Sequence, residues 1–118
     1  QLATFPKKPL VTVVVLPGCP YCHETIRFMN ELIRREPKLN IRYMVVAETN
    51  NPLVAFRKNL SKGIDVEKST KPKDWIVMAR GGFPTIILSE NHQIVHAWEN
   101  DQFGVRAIDE ILERSKIN

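Results

Sequence analysis

Apolar residues in this chain come in short runs, and the spacing inside each run marks an element. Leu10-Val11-Thr12-Val13-Val14-Val15-Leu16 is continuous and β-branched with no polar alternation, the pattern of a strand buried on both faces. Pro17-Gly18 breaks it. From Pro20 onward Cys22, Ile26, Met29 and Ile33, joined by Phe28 and Leu32, recur at intervals of three and four, which predicts an amphipathic helix to about Arg35, ahead of Pro37. Ile41 to Ala47 predicts a second strand. Asn50 or Asn51 then caps a helix with Pro52 at its first position, Leu53, Phe56 and Leu60 on one face, and Gly63 as its stop.

Residues 61–82 read as an extended connection. Within it, Lys71-Pro72-Lys73-Asp74 starts a short helix that carries Trp75, Ile76, Met78 and Ala79 and ends at Gly81-Gly82. Phe83 to Leu88 predicts a strand with Pro84 near its beginning, Ser89 to His92 a turn, and Gln93 to Trp98 the hairpin partner. Asn100 or Asp101 caps a final helix whose apolar face is Phe103, Ala107, Ile108, Ile111 and Leu112. Residues 1–9 form an extended N-terminal segment. The order is β-α-β-α-(α)-β-β-α, an α/β arrangement in which helices cover a largely parallel sheet.

At 118 residues and 43% hydrophobic content, the chain suits one compact core, so residues 1–118 are expected to form a single domain. No run approaches the roughly 20 apolar residues of a membrane helix. The net charge of +4 is concentrated between Arg57 and Arg80, where seven basic residues face three acidic ones. That segment has no interleaved aromatics and no nucleic-acid motif, so it reads as a solvated face, and no nucleic acid partner is expected. The chain begins at Gln1, and its first residues lack a charged start, an apolar middle and a small-residue cleavage site. The expectation is that a preceding segment was cut away.

Both cysteines of the chain lie in Leu16-Pro17-Gly18-Cys19-Pro20-Tyr21-Cys22-His23, at the junction of the first strand and first helix. Unpaired N–H groups and the positive end of the helix stabilise a thiolate there, so Cys19 is expected to be the acidic, attacking sulfur. Cys22, one turn deeper on the packing side, is expected to stay protonated until it resolves a mixed disulfide. The same residues match C-x-x-C-H, the c-type haem attachment pattern, with His23 as axial ligand and Met29, Met44 or Met78 opposite. Haem binding needs a mostly helical pocket, whereas this motif follows a buried strand. His92-x-x-x-His96 has the spacing of a zinc half-site but lies far along the chain from Cys22, and the alternation of the hairpin leaves His92 in the turn while Ile94 and His96 share a face. Two ordinary polar histidines, and no metal, are expected.

Two motifs together resemble those of thioredoxin-fold proteins. One is Cys19-Pro20-Tyr21-Cys22 after the first strand; the other is Arg80-Gly81-Gly82-Phe83-Pro84-Thr85-Ile86-Ile87-Leu88, which is similar to the segment bearing that fold's cis-proline. The likeness spans Leu10 to Ser115. It implies a minimal thioredoxin fold with a short extra helical segment before the cis-proline strand. It also implies thiol–disulfide exchange without a cofactor, with Cys19 as nucleophile, Cys22 as resolving thiol, and Pro20, Tyr21 and a cis Pro84 shaping the site. Phe83 and Thr85 would bind substrate, the backbone of Phe83 pairing with an extended segment.

CPYC is found in glutaredoxins and in some periplasmic Dsb-type isomerases. Glutathione recognition in glutaredoxins uses a lysine before the first cysteine, a Thr-Val-Pro and a Gly-Gly-x-Asp turn. Those places here read Val15-Leu16-Pro17-Gly18, Gly82-Phe83-Pro84 and Glu99-Asn100-Asp101, so a glutathione site is not expected. The implied partners are protein thiols and disulfides and a redox partner protein. The chain also departs from thioredoxin, lacking the tryptophan before the first cysteine and the aspartate in the preceding strand. Proton transfer at Cys22 would then use water or another group, with Glu48 or Glu24 the candidates. Trp75 and Met78 would line an apolar lip for protein substrates or belong to the core. The absent start methionine and the glutathione mismatch point to a periplasmic or otherwise exported protein, with the cytoplasm as alternative. A second function class, a chaperone-like module that grips extended peptides without turnover, uses the same fold.

Overall fold

The computed structural model describes residues 5–80, 82–99 and 104–115. Leu10–Val15 forms β1, and all six of its side chains are buried, as a run with no polar alternation requires. Odd positions Val11 and Val13 join one apolar cluster and Val14 another, so β1 is the central wall between two cores. The chain then turns at Gly18, whose φ of +69° is a backbone that glycine adopts without strain, and enters α1, Pro20–Arg35. Pro20 at the first helical position and Pro37 just past the end explain why these bounds agree with the sequence pattern.

β2, Asn40–Val45, lies parallel to β1 with Val13 opposite Tyr43 and Val15 opposite Val45. The helix after it is shorter than its apolar spacing predicts. α2 covers only Leu53–Arg57; Pro52 stands just before it rather than at its first position, and no side chain of Asn50 or Asn51 caps it. Backbone bonds do that work, from Leu53 N–H to the Asn50 carbonyl and from Val54 N–H to Asn51.

The connection at 61–82 is the main departure from the sequence reading. Ile64–Lys68 is a strand, β3, added parallel to β2 at the edge of the sheet. Ile64 and Val66 are buried in the first cluster while Asp65 and Glu67 face outward, a period of two carried by only two apolar residues. Arg57 clamps it, its guanidinium donating to the Val66 carbonyl at 3.1 Å. α3, Pro72–Met78, follows and lays Trp75 against the second cluster. Trp75 is therefore core, in edge-on contact with Phe5, and Met78 is half-buried beside it.

β4, Thr85–Glu90, runs antiparallel to β1, and β5, Gln93–Trp98, pairs with β4. The turn is tighter than expected. Asn91 and His92 both have positive φ, and their amides donate to the carbonyls of Lys7 and Pro6, so the N-terminal segment is bound to the hairpin tip. The β4–β5 register shifts by one residue between Leu88 and Ser89, which breaks the alternation that would have put Ile94 and His96 on one face. α4, Val105–Ser115, buries Ala107, Ile108 and Ile111, and Glu110 accepts the indole N–H of Trp98 at 3.0 Å. Gly81, Asn100, Asp101 and Phe103, which the sequence placed at helix ends and on the last apolar face, lie outside the described residues.

The sheet order is β3-β2-β1-β4-β5. α1, α2 and α4 cover the face that holds Met29, Leu32, Tyr43 and Phe56; α3 and Phe5 cover the other. Cys19 sits at the end of the sheet where β1 and β2 finish and β4 begins.

Candidate active site

Cys19 is the N-cap of α1. Its φ and ψ of −96° and 109° are those of an extended residue, and its Sγ accepts a hydrogen bond from the Cys22 amide at 3.3 Å. A sulfur thus fills the place of the usual hydroxyl or carboxylate cap, satisfying one of the helix's free N–H groups. Cys19 is half-buried; Cys22 is wholly so, at 0% exposure. Both thiols are free. Burial pushes the pKa of Cys22 well up, and the hydrogen bond with Cys19 and the charge of that sulfur add to the rise, against an opposing hydrogen bond from the Leu16 backbone. Cys22 is therefore held as a neutral thiol.

Pro20 is exposed at the first helical position, and Tyr21 beside it is 61% exposed. The Phe83–Pro84 peptide bond is cis. Thr85 pairs with Val14, which sets Pro84 against the end of β1, a few residues before Cys19. Pro84 is buried, and Phe83 is half-buried against both apolar clusters. Thr85 is only 2% exposed, its hydroxyl donating to the Gly82 carbonyl at 2.8 Å and closing the loop. Its side chain is thus committed inside the protein. The two motifs thus stand at the same end of the sheet.

Glu24 and Glu48 are both exposed. The polar groups buried behind Cys22 are Thr25 and Tyr43, which the sequence reading passed over. Thr25 Oγ1 lies 2.6 Å from the Cys22 carbonyl oxygen and 2.6 Å from the Tyr43 hydroxyl. Their one sequence signal is that Thr25 falls on the same helical face as Cys22, Ile26 and Met29, where an apolar residue is the rule.

His23 is half-buried, its ring stacked on Phe56. Of the methionines that could face His23 across a haem, Met29 is buried in the first cluster, Met44 is buried in the second and Met78 packs against the second. Among the described residues, no group of three or more His, Cys, Asp or Glu gathers where it could hold a metal ion. No helix among them is long and apolar enough to cross a membrane.

No protein-family model and no curated protein matches the chain by sequence. Solved structures do match it. A secreted disulfide oxidoreductase of Mycobacterium tuberculosis, homologous to E. coli DsbE, aligns with a TM-score of 0.70 at 14% identity, over 92% of this chain and 81% of that one. The thioredoxin domain of a thiol-disulfide oxidoreductase from Bacteroides vulgatus gives 0.71 at 15% identity, over 92% and 79%. A thioredoxin-like protein from Aeropyrum pernix gives 0.74 at 7% identity, over 93% and 79%. At such identities the likeness is one of architecture: the chain has the thioredoxin fold, extended by one edge strand and one short helix before the cis-proline loop.

Proposed function

We propose that the chain is a thiol–disulfide oxidoreductase that exchanges disulfides with protein substrates, Cys19 attacking and Cys22 resolving, with residues 1–118 working as one domain. One observation carries this reading. The half-exposed sulfur of Cys19 accepts the Cys22 amide at a helix N-terminus, and the second thiol lies one turn behind it, buried and neutral. The attacking species in exchange is a thiolate, and both the amide and the helix dipole favour negative charge at that spot.

The chemistry needs only the two sulfurs. The Cys19 thiolate attacks one sulfur of a substrate disulfide, forming a mixed disulfide, and the other substrate sulfur leaves as a thiolate that takes up a proton. Cys22 then loses its proton and attacks Cys19 Sγ, which closes the Cys19–Cys22 disulfide and frees the second substrate thiol. Two electrons pass to the substrate; run backwards, the same steps oxidise it. The reduction potential of the pair decides between oxidation, reduction and isomerisation. Pro20, Tyr21 and Pro84 shape the contact surface, and the Phe83 backbone pairs with an extended substrate segment while Thr85 holds that loop closed. The fold neighbour from Mycobacterium is a secreted disulfide oxidoreductase, which supports an exported or periplasmic setting for this chain.

Insulin reduction in the presence of dithiothreitol tests the proposal. Cys19→Ser abolishes turnover, and Cys22→Ser accumulates a mixed disulfide visible by mass spectrometry under non-reducing conditions. A Cys19→Ser protein with full activity overturns the assignment. A peptide-binding module without turnover would leave insulin reduction at the rate of the reductant alone.

A further inference from the structure

Strand β1, which leads into the motif, contains no carboxylate, and Glu24 and Glu48 are exposed. Two hydroxyls lie behind Cys22 instead. Thr25, one turn along α1, is 3% exposed, and Tyr43, in the middle of β2, is 0% exposed. Thr25 Oγ1 stands 2.6 Å from the Cys22 carbonyl and 2.6 Å from Tyr43 Oη. A carbonyl only accepts, so the single hydroxyl proton of Thr25 goes to Cys22 and Tyr43 is the donor to Thr25. The order of donation is fixed: Tyr43 to Thr25 to Cys22.

Both backbone polar groups of Cys22 are thereby engaged by the site. Its N–H donates to Cys19 Sγ and its carbonyl accepts from Thr25. A threonine bonding back to the preceding turn is common in helices. Here that threonine is itself held by a fully buried tyrosine from another element, at the turn that carries the second thiol. Burying two hydroxyls has a desolvation cost that valine and phenylalanine of nearly the same shape would avoid. Packing alone does not call for them. Tyr43 also keeps its proton: burial pushes its pKa up by more than the bond with Thr25 lowers it.

We infer that Thr25 and Tyr43 are positioning residues for the resolving step, holding the Cys22 peptide so that its sulfur stays aligned with Cys19 Sγ in the mixed disulfide. This rests on the exchange chemistry proposed above. In that step Cys22 gives its proton to water, its sulfur bonds to Cys19 Sγ, the bond from Cys19 to the substrate sulfur breaks, and the departing thiolate is protonated. Thr25 holds the Cys22 carbonyl rather than the N–H that Cys19 Sγ accepts, so the two hydroxyls act more on this step than on the first attack, which belongs to Cys19.

The test separates the two steps with 5,5′-dithiobis(2-nitrobenzoate). Reduced protein releases one thionitrobenzoate when Cys19 attacks and a second when Cys22 displaces the adduct, and stopped-flow absorbance follows both. Tyr43→Phe and Thr25→Val slow the second release roughly tenfold and leave the first within about twofold, the size expected for loss of one buried hydrogen bond. Thr25→Ser, which keeps the hydroxyl, restores the second release. An unchanged second release in Tyr43→Phe and Thr25→Val overturns the positioning role while the exchange reading stands. So does a Thr25→Ser protein as slow as Thr25→Val, since the methyl group rather than the hydroxyl would then set the rate. A first release no faster than that of free cysteine removes the exchange reading, and this inference with it.

Discussion

The imidazole of His23 lies flat on the ring of Phe56, centroids 4.3 Å apart and planes 4° from parallel. Phe56 is wholly buried and in turn meets Tyr43 at 5.8 Å, so an aromatic train runs from the first turn of α1 through α2 to β2. His23→Ala is expected to cost about 1 kcal/mol, the worth of one aromatic contact. Phe56→Ala, which empties a core position, is expected to cost about 3–5 kcal/mol. Urea unfolding measures both, and the rate at which Cys19 reacts with iodoacetamide in His23→Ala should stay near that of the parent.

The two thiols differ in access. Cys19 is half-buried and Cys22 has no exposed surface. Folded, reduced protein is expected to take one alkyl group rapidly, at Cys19, and the second on the order of a hundredfold more slowly, because Cys22 must wait for local opening. Peptide mapping after timed iodoacetamide treatment checks the order. Equal rates at both cysteines would contradict it.

Stability of the reduced protein should depend on alkaline pH. Cys22 and Tyr43 both have folded pKa values raised above their ordinary 9.0 and 10.0. Below 9.0 each contribution is fully present. Above it the unfolded chain gives up protons that the folded chain retains, so stability falls as pH rises, by up to about 1.4 kcal/mol per pH unit for each group. Urea titrations between roughly pH 8 and 11 read the slope. Cys22→Ala should remove the part that begins first, and Tyr43→Phe the part that begins about one unit higher.

Trp75 and Tyr21 should separate stability from substrate handling. Trp75 is 4% exposed, edge-on to Phe5 at 5.8 Å, with the Arg42 guanidinium 5.4 Å from its ring centre. Trp75→Ala is expected to cost about 3–5 kcal/mol. Tyr21, 61% exposed beside the sulfurs, makes no comparable contribution to the core. Tyr21→Ala should change stability by less than about 0.5 kcal/mol. It should raise KM for insulin several-fold while a small disulfide is reduced at the parent rate.

What could be read in the sequence and what could not divide along physical lines. β1 and α1 were legible because each carries its own signal: an uninterrupted β-branched run, then apolar residues at helical spacing between Pro20 and Pro37. β3 was not. An edge strand buries one face only, and in Ile64-Asp65-Val66-Glu67-Lys68 that face is two residues, too few to stand out from a basic loop. The sulfurs were found by spacing, since their chemistry requires adjacency along one helical turn. Thr25 and Tyr43 were missed because their relation exists only across 18 residues of chain, where no local pattern records it.

Among the described residues no further strand pairs with the outer side of β3 or β5, and each edge meets a newcomer on unwelcoming terms. β5 exposes Ile94 and Val95 by 49% and 46%, yet its pairing slips by one residue just there, so a second copy laid alongside would lose hydrogen-bond rhythm after two residues. On the far border β3 turns Asp65 and Glu67 outward, and a neighbouring copy would bring like charges together. The molecule thus guards its flanks against zippering onto its own kind.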